Sequence, residues 1–529
     1  MSEPWICFED EHLVVVNKPA GVNTHRADPH GQEGLYEWVQ RQRPGRTLSI
    51  LHRLDKATSG ILVFGASTEA NRSLTRQFEQ RSVAKTYELL VRRDPRRPTS
   101  ATCELPIEVS GRSGNVDRAA STSFDRRSVG ERVELHVAHP HTGRTHQVRI
   151  HAAELGMAVI GDTEHGGAPG NRLFLHAAAL RFAHPTGATM ELATPRPASF
   201  DQVLGGAHPA SPAVAASVAL EAREQLFDPA DTGAYLWIDR HHDGFPDVRV
   251  ERLGDVALVI DHRDHAESLP SEWIDAWTNA LPLSAIYHQP RHRKGGSVTA
   301  RQVWGDADER FVVRELGLEY LIDLGASSTS SGLFLDQRET RRRLLTWPLD
   351  GRTVLNTFAH TGSLSVAAAA AGAETLTLDL SPRYLDWARE NLRLNGTDPM
   401  DHDFIYGDAQ DWMARLERKG RTFDVVLLDP PSSSTSGKRG AKRWVAERDL
   451  HDLVARGARL CALGGTLFVS TNLHRMRWER FLTHLDTGMR AARRSGSVEI
   501  QTLPLDHRSG PGDPPYLKAA WVHLDDGHS

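Results

Sequence analysis

Apolar positions along this chain change their spacing in blocks, and each block predicts an element. Leu13-Val14-Val15-Val16 is a continuous β-branched run, so it predicts a buried strand, which Pro19 and Gly21 bring to an end. Ile61-Leu62-Val63-Phe64 predicts a second strand, and Glu69 to Gln80 places Leu74 and Phe78 at the helical spacing of four. Lys85 to Val91 alternates and predicts a strand. Val148, Ala152 and Leu155 form an apolar stripe, with Thr145 the expected N-cap and Gly156 the expected stop. These elements define a first domain over 1–204.

The pattern lapses over 205–221, where Ala, Ser and Pro predict a linker. From 222 to 325, Ala234 to Arg240, Val248 to Leu253, Asp255 to Ile260 and Ala285 to Tyr287 predict strands and Ser271 to Ala280 a helix, together a small α+β domain. The remainder, 326–529, has a different rhythm. A strand at Val354-Leu355 runs into the loop Asn356 to Gly362, followed by an alanine-rich helix to Ala371, a strand at Thr375 to Leu378 and an acid, Asp379. Ser381 is the expected N-cap of the next helix, with Pro382 at its first position and Leu385, Ala388 and Leu392 on its apolar face. Two further strands end in Asp408 and in Asp429-Pro430-Pro431.

Composition narrows the class. A chain of 529 residues predicts about three domains. Cys7, Cys103 and Cys461 lie far apart, which points to a reducing compartment without a disulfide framework. No apolar run reaches the roughly 18 residues of a membrane span, and the N-terminus lacks a basic, apolar signal; a soluble cytoplasmic protein is expected. The net charge of −5 speaks mildly against a nucleic-acid partner. Locally, however, Arg92-Arg93 with Arg96-Arg97, Arg291 to Lys294, Arg341 to Arg343, Lys438 to Arg443 and Arg493-Arg494 are basic clusters, each by itself read as a solvated surface, that together offer phosphate tracks.

Candidate chemistry falls at two places. In His52-Arg53-Leu54-Asp55-Lys56-Ala57-Thr58-Ser59-Gly60 a single carboxylate, Asp55, stands between cationic residues at a tight turn. That placement suits a catalytic acid, base or nucleophile, and equally an Asp that caps a turn or pairs with Arg53. His139, His141, His146 and His151 are dense, but no Cys or carboxylate completes a recognised spacing, so no metal is expected. In the last domain, strand, loop, helix, strand, acid is the doubly wound nucleotide-binding arrangement. A G-x-G-x-x-G loop is absent, which favours S-adenosylmethionine over a nicotinamide dinucleotide.

The strand ending in Asn17-Lys18-Pro19-Ala20-Gly21, the His52 to Gly60 run, Lys85-Thr86-Tyr87, Gly143 to Arg149, Gly161-Asp162 and Leu175-His176-Ala177 occur in the order seen in RluA-type pseudouridine synthases, which residues 7 to 200 therefore resemble. The resemblance implies a mixed α/β fold around an antiparallel sheet, with Asp55 as the essential aspartate. It implies that Arg149 pairs with Asp55, that Tyr87 packs against the target base and that Arg53 holds the base out of its helix. Such an isomerisation needs no cofactor. A carboxylate serves as nucleophile or base, an adjacent Arg keeps it ionised, and an aromatic ring stacks on a flipped base. Attack on the sugar and attack on the base both remain open.

Leu318 to Leu324, Ser331 to Arg338, Phe358-Ala359-His360-Thr361-Gly362, Asp429-Pro430-Pro431 and the basic run to Arg443 resemble the RlmI and RlmK class of 23S ribosomal RNA methyltransferases, over residues 225 to 529. This implies a class I Rossmann-like domain with cofactor contacts from Phe358, Gly362, Asp379, Asp408 and Asp429. His360 stands where that family commonly has Tyr. The combined expectation is a multidomain α/β and α+β enzyme that isomerises uridine and methylates a base of large-subunit ribosomal RNA, with S-adenosylmethionine as methyl donor. The alternatives are a methyltransferase for a protein or small molecule, which leaves the first domain unexplained, and an RNA-binding assembly factor with a degenerate site, against which the intact Asp55, Tyr87 and Arg149 argue. Within the class, 5-methylcytosine demands a cysteine thiolate. Cys461 alone is available in this half, and it is expected at the helix end, away from the active edge. Asp429-Pro430-Pro431 also lacks the following aromatic residue used with exocyclic amines. Guanine nitrogen 7 needs positioning more than activation, so 7-methylguanosine is the expected product.

Overall fold

The computed structural model describes residues 5–111, 114–264, 268–291, 299–325, 330–434, 444–508 and 515–526. Its first unit is built on a ten-stranded sheet whose main path runs Ile6–Glu9, Leu13–Lys18, Ser59–Gly65, Leu175–Ala183, Ala84–Arg92, Val133–Pro140, Thr122–Val129, Ser100–Cys103. Leu13 to Val16 and Ile61 to Phe64 are buried on both faces, which is why they are continuous apolar runs rather than alternating ones. Neighbours in this sheet are antiparallel except where Leu175–Ala183 meets Ser59–Gly65 in parallel, with Ala177 opposite Gly60. The expected antiparallel sheet is thus mixed. Gly60 makes the junction possible: its φ is +118°, and a Cβ there would lie 2.2 Å from the Ala177 carbonyl oxygen.

Two local expectations change. The helix Gln147–Glu154 has His146, in the left-handed region at φ 54°, as its N-cap rather than Thr145. No side chain caps it through His146; instead the Gln147 carboxamide oxygen folds back to accept the Arg144 N–H at 3.0 Å. The stretch expected to be a linker is largely the helix Pro212–Glu224, capped by Ser211. Alanine is the strongest helix former, and here Ala215, Ala216 and Ala219 let the helix pack closely between the first sheet and the next domain.

That next domain is a five-stranded sheet, Ala234–Asp239, Val248–Leu253, Val256–Asp261, Ala285–Pro290, Arg301–Gly305, with the ribbon Arg310–Glu315 and Leu318–Asp323 beside it. The last domain has a seven-stranded sheet in the order Asp403–Tyr406, Glu374–Asp379, Thr353–Thr357, Phe423–Leu428, Cys461–Thr471, Lys518–Leu524, Gly496–Gln501. Its first five strands are parallel, and Lys518–Leu524 is antiparallel to both of its neighbours, Cys461–Thr471 and Gly496–Gln501. The strand order reverses between Thr353–Thr357 and Phe423–Leu428, the switch point at which open α/β sheets bind ligands.

Several basic clusters turn out to be internal ties. Arg341 is buried against Glu315, Arg97 pairs with Glu134 at 2.7 Å, and Arg494 donates to the carbonyls of Ala458, Cys461 and Ala462. Burial leaves Arg341 no route to phosphate, which local charge density does not reveal, whereas Arg92, Arg93, Arg96 and Arg493 stay exposed. Most of Arg291 to Lys294 and all of Lys438 to Arg443 lie outside the described residues. Among the described residues no helix is long and apolar enough to cross a membrane.

Candidate active sites

The loop carrying Asp55 is held from three sides. Thr24 Oγ1 donates to the Leu54 carbonyl at 2.9 Å and accepts the Leu54 N–H at 3.1 Å. Burial, helped by Lys85, drops His52 to about 3, so its ring is neutral and Nε2 accepts the Val63 N–H at 3.1 Å. Lys18 is fully buried beneath the loop, and its ammonium donates to the carbonyls of Pro19, Val22 and Lys56 at 3.0, 2.6 and 3.2 Å. Burial holds Lys18 well below the usual ammonium range, while nearby Asp55 works in the opposite sense. Neither His52 nor Lys18 is assigned a role by sequence reasoning: His52 meets Val63 on the following strand, and Lys18 meets main-chain carbonyls that no side-chain pattern marks.

Asp55, Tyr87, Arg149 and Arg53 all line one cavity of about 470 Å³. The Asp55 side chain is 25% exposed, with Arg149 Nη1 and His146 Nε2 each 3.9 Å from its Oδ2. Arg149 makes its short contacts elsewhere: Nε and Nη2 donate to the two oxygens of Asp162 at 2.7 and 2.6 Å, and Nη2 donates to Glu164 at 2.8 Å. The implied Arg149 to Asp55 pair is therefore at the long edge of ion-pair range, and Asp162 is the residue that orients the guanidinium. Burial of Arg149 opposes its charge, but Asp162 and Glu164 outweigh that and raise it above its ordinary value. Burial, reinforced by Asp55, pushes the Tyr87 hydroxyl up, so the ring is presented neutral. His146, Glu164 and His165 bring their donor atoms within 4.8 Å of one another, a grouping the histidine spacing did not suggest, although Glu164 is already engaged by Arg149.

The walls of this cavity are cationic. Arg53, Arg81 and Arg144 line it with no ion pair to any carboxylate among the described residues, and Arg144 Nε is buried without a hydrogen-bond partner. Next to it, a groove of about 650 Å³ carries Arg72, Arg76 and Arg181, unpaired in the same sense.

The second cavity, of about 360 Å³, opens at the carboxyl edge of the last sheet and is lined by Phe358, Asp379, Asp408 and Asp429. Gly362 is not among its walls: at φ +74° it caps the helix Ser363–Ala370, where a Cβ would meet that of Ala388 at 2.5 Å. Phe358 and His360 also have positive φ, at 56° and 50°, so the loop is contorted around the cavity. Asp379 accepts the His360 N–H through Oδ2 and the Ser381 N–H through Oδ1, both at 2.8 Å. The carboxylate keeps acceptor capacity for a ligand. Asp408 accepts the N–H groups of Gln410 and Asp411 through Oδ1, so it caps its helix and lines the cavity at once.

Burial pushes Asp429 up to about 6, against a 2.5 Å hydrogen bond donated by Ser470. Burial also lowers His360 to about 4, leaving a neutral ring between Phe334 and Tyr384. Asp336 completes a set of four aspartates in this cavity, with no Lys or Arg lining it among the described residues. Cys461 sits at the start of its strand, paired with Phe423 at the opposite edge, and burial pushes its thiol up to about 12.

Residues 12–154 match the RNA pseudouridylate synthase family and residues 273–494 the S-adenosylmethionine-dependent methyltransferase family. The chain is 30% identical over 297 residues to "Putative ribosomal RNA large subunit methyltransferase YwbD" of Bacillus subtilis (strain 168), covering 55% of this chain and 74% of that protein. It is 40% identical over 200 residues to ribosomal RNA large subunit methyltransferase K/L of Allochromatium vinosum, which covers 38% of this chain but 26% of that much longer protein. In fold, it is similar to the crystal structure of "a putative methyltransferase complexed with SAH", with a TM-score of 0.54 and 23% identity over 65% of this chain and 88% of the other.

Proposed function

Because the chain belongs to the S-adenosylmethionine-dependent methyltransferase family of ribosomal RNA large subunit enzymes, and carries an RNA pseudouridylate synthase domain ahead of it, we propose that it modifies 23S ribosomal RNA twice, isomerising a uridine and methylating a guanine at nitrogen 7. The observation that carries this reading is the opposite charge of the two cavities. One has Arg53, Arg81, Lys85, Arg144 and Arg149 in its walls, as an RNA strand requires; the other has four aspartates and no Lys or Arg among the described residues.

In the first cavity Asp55 is the carboxylate that reacts. Arg149, fixed by Asp162, stands 3.9 Å from it, and Tyr87 offers a neutral ring to a base turned out of its stack. The unpaired Arg53 and Arg144 meet phosphate or the vacated helix position, and Arg72, Arg76 and Arg181 continue the cationic path along the adjacent groove.

An acid-lined cavity suits S-adenosylmethionine, whose sulfonium and ammonium are cationic and which has no pyrophosphate to cradle. When bound, it supplies an electrophilic methyl group. Asp379 keeps acceptor capacity for ribose hydroxyls, and Phe358 gives an apolar wall. Asp429, Pro430, Pro431 and Asn472 form the rim on which a base is oriented. A buried, protonated thiol at the far end of its strand speaks against a covalent route through Cys461, and guanine nitrogen 7 already has the lone pair that methyl transfer needs. Asp55→Asn should abolish pseudouridine formation in the purified chain and leave methyl transfer intact; retained pseudouridine would refute the role of Asp55.

A further inference from the structure

The methyltransferase domain reaches back to the underside of the Asp55 loop. Arg508 is largely enclosed there, its side chain 10% exposed, and its Nη1 donates to the carbonyl of Ala20 at 2.9 Å, while its backbone N–H donates to Asp239 at 2.9 Å. The contact needs a glycine at the next position: Gly21 has φ +83°, and a Cβ on it would lie 2.1 Å from Arg508 Nη1. Gly21 in turn donates its N–H to the Lys56 carbonyl at 2.8 Å, and Thr58 donates to the Asp55 carbonyl at 3.1 Å. The side chain of Arg508 is therefore joined to the residue after Asp55 through one two-residue turn, on the same floor where Lys18 is held.

The arrangement is not a surface contact. Asp243 lies 3.8 Å from Arg508 Nε, and neighbouring Asp506 forms a buried pair with Arg338 at 2.7 Å. The segment that carries Arg508 is thus anchored in the second and third domains before it meets the first. Gln32 adds a second tie by donating to the carbonyl of Pro504 at 3.1 Å.

We propose that Arg508 is a positioning residue for the Asp55 loop, so that the methyltransferase half completes the pseudouridine synthase site. Arg508 touches neither cavity; it fixes the Ala20-Gly21 turn so that the Gly21 N–H points at Lys56. The inference rests on Asp55 being the reacting carboxylate.

The test uses the full-length chain and large-subunit RNA lacking the modification. Arg508→Ala should lower kcat for pseudouridine formation about tenfold or more, since small misplacement of a reacting group carries losses of that size. KM for RNA, the affinity for S-adenosylmethionine and methyl transfer should remain near wild type. Added guanidinium should restore part of the lost kcat, an effect that general destabilisation would not produce. Gly21→Ala perturbs the same contact from the other side and should give the same selective loss, even where Arg508→Ala folds poorly. Full kcat in both variants, or parallel loss of both activities without guanidinium rescue, would overturn the proposal. A wild-type chain that methylates but makes no pseudouridine would overturn the Asp55 reading itself, and this inference with it.

Discussion

Arg149 and Asp162 form a buried two-bond pair, at 2.7 and 2.6 Å, and it is this pair that sets the guanidinium 3.9 Å from Asp55. Asp162→Asn removes the charge that orients Arg149. Breaking such a pair costs about 3 kcal/mol or more of stability, and pseudouridine formation should fall while methyl transfer stays. Burial acts to raise Asp162, but Arg149 dominates and holds it below the usual carboxylate range. Its stabilisation is therefore complete above about pH 4 and lost as pH falls through the lowered value. Acid unfolding of Asp162→Asn, followed by circular dichroism, should be less steep in that window; an unchanged curve would remove the pair from the account.

Asp379 should matter to the other activity alone. Asp379→Ala deletes the proposed acceptor for ligand hydroxyls and frees the N–H groups of His360 and Ser381. Hydrogen bonds to a charged group are worth about 1.5–3 kcal/mol, so affinity for S-adenosylmethionine should fall about tenfold or more by calorimetry. Equal affinity in the variant would mean that the cofactor sits elsewhere.

Asp429 gives a pH signature of opposite sign to that of Asp162. Its folded-state value of about 6 lies above the ordinary range because burial disfavours the charge. The folded chain therefore holds a proton that the unfolded chain releases, and this contribution to stability is lost as pH rises from about 4 to 6. Asp429→Asn keeps an acceptor for Ser470 and should be more stable than wild type at pH 8, by an amount on the order of 3 kcal/mol. A variant of equal or lower stability there would contradict the burial argument.

What was legible in the sequence was what local spacing encodes. The buried strands, the Ser381 cap with Pro382, and acids at strand ends all appear at or within a residue or two of their expected places. The helix Pro212–Glu224 was not legible as such, because small residues that favour helix also favour linkers. Arg341 and Arg494 were misread as surface because only the fold decides which arginines are paired inside. Asp162 and Arg508 act through partners on other elements, 13 and 488 residues away, and Lys18 acts through main-chain carbonyls, so no local period marks them. His146 escaped the helix-cap reasoning because its left-handed backbone, not a Ser or Thr hydroxyl, begins the helix.

The central claim is that one chain places two different marks on large-subunit ribosomal RNA, and nucleoside mass spectrometry of that RNA from cells with and without the gene tests it most directly. Loss of the gene should remove one pseudouridine and one 7-methylguanosine. Complementation with Asp55→Asn should restore only the methyl mark, and Cys461→Ser should restore both. Unchanged pseudouridine and 7-methylguanosine on deletion, or loss of a 5-methylcytosine that Cys461→Ser fails to restore, would contradict the account.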